Sequence, residues 1–139
     1  ATAYLVRAVA INPRSAIDFY RLGFALNQTK QYPKALEASK SAATLVPNST
    51  DAQLLYGTLL RITKDYPESE QVLLKANTLA KEKNSEIHWQ LALLYNRLNK
   101  NQSAITELET FLRLEPNSPD RGKVQELIDK LKNSMAKDD

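Results

Sequence analysis

Of imidazole and thiol side chains, the usual nitrogen and sulfur ligands of metals, the sequence offers one histidine, His88, and no cysteine. A zinc-type site needs three or four nitrogen, sulfur or carboxylate ligands, and neither a second imidazole nor a thiolate is present to complete one of the usual sets. Any serine triad would have to recruit the same His88, and no nucleophile-elbow sequence surrounds any serine. The three glycines, Gly23, Gly57 and Gly122, are too scattered to cradle a phosphate. His88 therefore reads as a packing residue, and the chain as a non-enzyme without metal or cofactor. Asn27-Gln28-Thr29, Asn48-Ser49-Thr50 and Asn101-Gln102-Ser103 fit the glycosylation acceptor pattern, which has meaning only for a secreted eukaryotic chain. The informative spacing is apolar. Tyr20 with Phe24 and Trp89 with Leu93 are each four residues apart, so on a helix each pair shares a face. Chemistry of this kind is apolar contact, within the chain or with another one, not bond-making.

Positioning such pairs requires helices, and the composition supplies them. Ala, Leu, Glu, Lys and Gln dominate, whereas glycine and proline number three and six in 139 residues. The composition is globular, with 42% hydrophobic and 25% charged residues. No run approaches the roughly 20 apolar residues that cross a bilayer, so direct membrane insertion is not expected. The 19 basic and 16 acidic side chains are interleaved along the chain. A nucleic-acid surface would gather its cations on one stripe, and none is seen. Absence of cysteine is compatible with reducing and oxidising compartments alike.

The sequence repeats itself. Laying residues 16–49 over 50–84 and 85–118 superposes Gly23, Gly57 and Ala92, as well as Leu22, Tyr56 and Leu91. The same register brings together Leu26, Leu60 and Tyr95, then Ala35, Ser69 and Ala104, then Ala42, Ala76 and Phe111. Within each repeat the apolar spacing follows the helical period twice, which predicts a helix A and a helix B. Small residues at 23, 57, 92 and 35 let the pair approach closely. Tyr32-Pro33 and Tyr66-Pro67 mark the start of helix B, where proline's missing N–H costs nothing. Pro47 and Pro116 mark its end. Lys81 stands where the middle repeat should have that proline, so its helix B is expected to run on toward Lys83 and absorb one extra residue. Residues 1–15 match the second helix of an earlier, incomplete repeat, with Ala1, Leu5, Ala8, Ile11 and Pro13 in register, which suggests natural sequence upstream. Residues 119–139 read as a capping helix to about 134 followed by a tail, with Val124, Leu127, Ile128 and Leu131 on one stripe; a solenoid needs such a polar-backed terminal element.

This pattern resembles the tetratricopeptide-repeat family over nearly the whole chain. The family's large residue, Leu-Gly and second large residue appear as Phe19, Leu22-Gly23 and Leu26. Its helix B alanines appear as Ala35 and Ala42, and its closing proline as Pro47. Ala92, Ser69, Phe111 and Lys81 depart from the pattern without changing the period. Pentatricopeptide RNA-binding repeats share only the length.

The resemblance implies an all-α, right-handed α-solenoid of antiparallel helix pairs whose A helices line a concave groove for a partner peptide or helix. By family geometry the groove side carries Ile17, Tyr20, Arg21, Phe24 and Asn27, then Asp51, Leu54, Leu55, Thr58, Arg61 and Ile62, then Glu86, Trp89, Gln90, Leu93, Asn96 and Arg97. Where some relatives hold a two-carboxylate clamp for acidic tails, this chain has Tyr20, Phe24, Leu55, Glu86 and Gln90, so the clamp is absent. The expected partner-binding set is therefore Ile17, Tyr20, Phe24, Leu54, Thr58, Arg61, Trp89, Leu93, Asn96 and Arg97, an apolar trough with a polar rim. The competing reading is that these aromatics pack against neighbouring B helices. Self-association through the uncapped N-terminal half-repeat is the alternative function.

Overall fold

A computed structural model describes residues 2–138, and among these it contains eight α-helices and no strand. α1 spans Thr2–Ile11 and α8 spans Arg121–Asp138. Between them lie three helical hairpins of constant dimensions. The first helices are α2 (Ala16–Gln28), α4 (Thr50–Ile62) and α6 (Ser85–Arg97), each of 13 residues. The second helices are α3 (Tyr32–Leu45), α5 (Tyr66–Leu79) and α7 (Asn101–Leu114), each of 14.

Local chemistry explains the regularity. Ser15, Ser49 and Asn84 cap α2, α4 and α6, their side-chain oxygens accepting from the N–H groups of Asp18, of Ala52, and of Glu86 and Ile87. At the other end of each first helix the chain enters the left-handed region at Lys30 (φ 61), Lys64 (φ 71) and Asn99 (φ 59). There the N–H of the following residue donates back to the helix, Gln31 to the Leu26 carbonyl at 2.9 Å, Asp65 to Leu60 at 2.8 Å and Lys100 to Tyr95 at 2.9 Å. This is the Schellman closure, repeated three times without a glycine. A turn so short between two helices that pack side by side makes them antiparallel.

The middle second helix departs from expectation. α5 does not run on toward Lys83; it stops at Leu79, at the same length as its counterparts. The extra residue is taken up in the connection instead, where Lys81 (φ 55) and Glu82 (φ 60) are both left-handed and the Lys83 N–H donates to the Ala80 carbonyl at 3.1 Å. Without proline at 81 nothing forbids a longer helix. Consecutive left-handed residues end it equally well, at a cost of about 1–2 kcal/mol each.

The chain forms two compact units, residues 1–79 and 80–139. In the first, α1 packs on α2, α2 on α3 and α4, α3 on α4, and α4 on α5. Its core gathers Leu5, Leu22, Leu26, Ala35, Ala38, Leu55 and Leu59, with Ala42, Ala43, Ala52, Tyr56 and Leu60 as a second cluster. Close approach of α4 to α5 depends on Gly57: a Cβ there would lie 2.8 Å from Leu73 Cγ. The same proximity lets the buried Ser69 hydroxyl donate to the Gly57 carbonyl at 2.8 Å. In the second unit α7 packs on both α6 and α8. The stripe expected on the last helix is inward, with Val124, Ile128 and Leu131 buried, and that helix runs through Asp138 and not to about 134. Ala1, placed in register by sequence, lies outside the described residues, as does Asp139.

Candidate partner-binding interface

In the first unit Ile17, Tyr20 and Phe24 lie three and then four residues apart along α2, one face of the helix. Ser15 and Asp18 fix its entry, the Ser15 hydroxyl donating to Asp18 Oδ2 at 2.7 Å. Ile17 is 58% exposed and Phe24 46% exposed. The Tyr20 and Phe24 rings stack with centroids 6.4 Å apart at 25°. Tyr20 is half-buried, resting against both core clusters, and its phenol pKa is raised first by that burial and then by the nearby Asp51 carboxylate. On α4, Leu54, Thr58 and Arg61 are half-buried. Leu55 is buried in the core of this unit, not on the open side where family geometry would put it.

In the second unit Trp89 and Leu93 are half-buried on α6, while Asn96 and Arg97 are exposed near its end. Gln90, also expected on the open side, is buried, and its amide donates to Glu86 Oε1 at 2.8 Å. Trp89 leans on Phe111 of α7, with centroids 5.9 Å apart and planes at 51°. The two rings border a cavity of about 310 Å³ completed by Glu86, Asp120, Lys123 and Val124. This cavity is not legible in the repeat pattern, where Phe111 reads only as a departure from the alanine. A large ring in a small-residue register was the available clue.

His88 is buried, as a packing residue should be, but its contacts are polar. Nδ1 lies 2.6 Å from Glu107 Oε2 and Nε2 lies 3.2 Å from the Glu82 carbonyl oxygen. Gln53 holds the same register position one repeat earlier, and its amide donates to the carbonyls of Ala43 at 3.2 Å and Pro47 at 3.1 Å. Both side chains thus tie the connection entering a first helix to the helix itself. Position 19 carries Phe19, which has no polar atom to do so. With both ring nitrogens committed and 4% exposure, His88 is poorly placed to meet a substrate. Among the described residues no three histidine or carboxylate side chains gather as metal ligands, and no helix is long and apolar enough to cross a membrane.

Residues 85–118 match the tetratricopeptide repeat family model. No curated protein sequence is significantly similar to the chain. Solved structures share its fold at low identity. MamA is 15% identical with a TM-score of 0.78, covering 99% of this chain and 88% of its own. The first TPR of Spaghetti, bound to an HSP90 peptide, is 16% identical with a TM-score of 0.78, covering 87% of this chain and 93% of its own. The Yersinia enterocolitica type III secretion chaperone SycD, in complex with a peptide of the translocator YopD, is 16% identical with a TM-score of 0.76, covering 84% of this chain and 92% of its own. Three hairpins of equal size, repeated caps and closures, and these likenesses agree: residues 85–118 are a tetratricopeptide repeat, and the chain has the all-α helical-repeat fold of the tetratricopeptide-repeat proteins.

Proposed function

We propose that the chain is a non-catalytic scaffold that binds a protein partner through the open faces of its first helices. The observation that carries this reading is the α2 stripe. Ile17 and Phe24 expose large apolar surface on one face of a well-capped helix, and Phe24 is already stacked on Tyr20. An aromatic held in place by its neighbour loses little freedom on binding, which favours it as an interface anchor. Leu54, Thr58 and Arg61 on α4 extend the surface of the same unit, and Trp89, Leu93, Asn96 and Arg97 form the corresponding surface of the other. Two structures of the same fold were solved with bound peptides, an HSP90 peptide and a YopD peptide. An acidic tail is a poor ligand for either unit, because Tyr20 and Phe24 offer it no positive charge in the first and Glu86 opposes it in the second. Repeats 16–49, 50–84 and 85–118 are taken as the units of the scaffold.

The test is a pull-down from the source organism with the wild-type chain and with an Ile17→Ser, Phe24→Ala double variant. Both positions are exposed, so the variant should keep its circular dichroism and melting temperature while losing the specific partner. A folded variant that retains every partner moves the function off α2.

A second reading, self-association, draws support from α1, whose Tyr4, Val6 and Ile11 are 69%, 49% and 85% exposed. Growth of scattering mass with concentration, in the absence of any partner, is its signature.

A further inference from the structure

The cavity of the second unit differs in chemistry from the α2 stripe. Its wall is a corner of two aromatic rings, Trp89 and Phe111, set 51° apart, with Val124 almost wholly buried behind them. Its rim carries the carboxylates of Glu86 and Asp120 and the ammonium group of Lys123. No ion pair or hydrogen bond joins Lys123 to either acid among the described residues. Glu86 accepts one hydrogen bond, from Gln90, and the Asp120 carboxylate accepts none. The opening is therefore net negative, with acceptor capacity unspent. At about 310 Å³ it sits at the small end of the range of ligand pockets, room for one long side chain and not for a helix.

We infer that this cavity receives an arginine side chain from the partner. The inference rests on the reading that Trp89 faces a partner, and it names the chemistry recognised there. A guanidinium group is planar, weakly hydrated and always charged, so it stacks on an indole face while its N–H groups point sideways to acceptors. In this cavity the guanidinium lies against Trp89, its methylene stem runs along Phe111 and Val124, and Asp120 and Glu86 accept its hydrogen bonds. An apolar side chain would fill the aromatic corner but leave both carboxylates unused. An acidic one would bring a third negative charge beside them. Lys123 is the one group that opposes the proposed ligand, and its long stem lets the ammonium swing toward solvent.

Trp89 is the only tryptophan in the chain, so its fluorescence reports this cavity without a label. The probe is a capped pentapeptide, Ala-Leu-Arg-Leu-Ala, titrated into the full chain alongside the same peptide with citrulline, the uncharged isostere, in place of arginine. The arginine peptide should change the Trp89 emission saturably and bind about tenfold more tightly than the citrulline peptide, the worth of one charge-assisted hydrogen-bond set. Asp120→Asn should weaken the arginine peptide and leave the citrulline peptide unchanged, and Lys123→Gln should strengthen the arginine peptide. Equal affinity for the two peptides overturns cation recognition while leaving Trp89 as a partner contact. Tighter binding of a glutamate-substituted peptide overturns it as well. If neither peptide moves the emission while the partner captured through Ile17 and Phe24 still binds, the cavity is no part of the interface.

Discussion

One residue with a Cβ stands in the left-handed region where each of the three hairpins turns, and two of the three are lysines. Lys30 and Lys64 adopt φ 61 and 71, a conformation that costs an ordinary residue about 1–2 kcal/mol and glycine almost nothing. Lys64→Gly should therefore raise stability by about 0.5 kcal/mol in urea unfolding, the relief being partly offset by the greater freedom glycine gives the unfolded chain. Gly57 is the opposite case. Its helical backbone tolerates alanine, but the added methyl would meet Cγ of the fully buried Leu73 at 2.8 Å, so the core must shift to admit it. Gly57→Ala should cost about 1–3 kcal/mol. Opposite signs for these two substitutions, measured in the same assay, check that conformation governs one glycine question and packing the other. A stabilising Gly57→Ala would mean that α4 and α5 are less tightly opposed than described.

At the scale of the element, the hairpin was legible and its connections were not. Positions 22, 23, 26, 35, 39 and 42 are all buried as the repeating pattern implies, because a period of 3.6 residues names the face that must be covered. Proline marked the entry to α3 and α5 for an equally plain reason. Periodicity is silent on how a connection closes once proline is missing, so the left-handed pair at Lys81 and Glu82 was unreadable. His88 was legible as buried and illegible as polar, since its partners, Glu107 and the Glu82 carbonyl, lie on another helix and in that connection. His88→Ala should cost about 1–3 kcal/mol by removing the ring and its hydrogen bonding from this buried position. His88→Gln, which copies Gln53, should recover part of the loss. Equal destabilisation by the two would indicate that ring volume, not hydrogen bonding, is what the position supplies.

At the scale of the whole molecule, the proposed scaffold works through exposed helix faces, and its function depends on which face is used. A helical wheel assigns Ile17, Tyr20 and Phe24 to one face, but it cannot say that Tyr20 is half-buried while its neighbours stay open, because depth is set by α4 and the core beneath. Likewise the spacing puts Trp89 on one helical face with Leu93, whereas the cavity beside it exists only once Phe111 and the start of α8 are brought together. The central claim is that a partner meets the α2 face. It is tested most directly by placing a photoreactive phenylalanine analogue at Phe24 and, as a control, at Leu74, a residue of similar exposure on α5. Irradiation with the partner bound should cross-link it through position 24 and not through position 74. Cross-linking through position 74 alone would contradict the account.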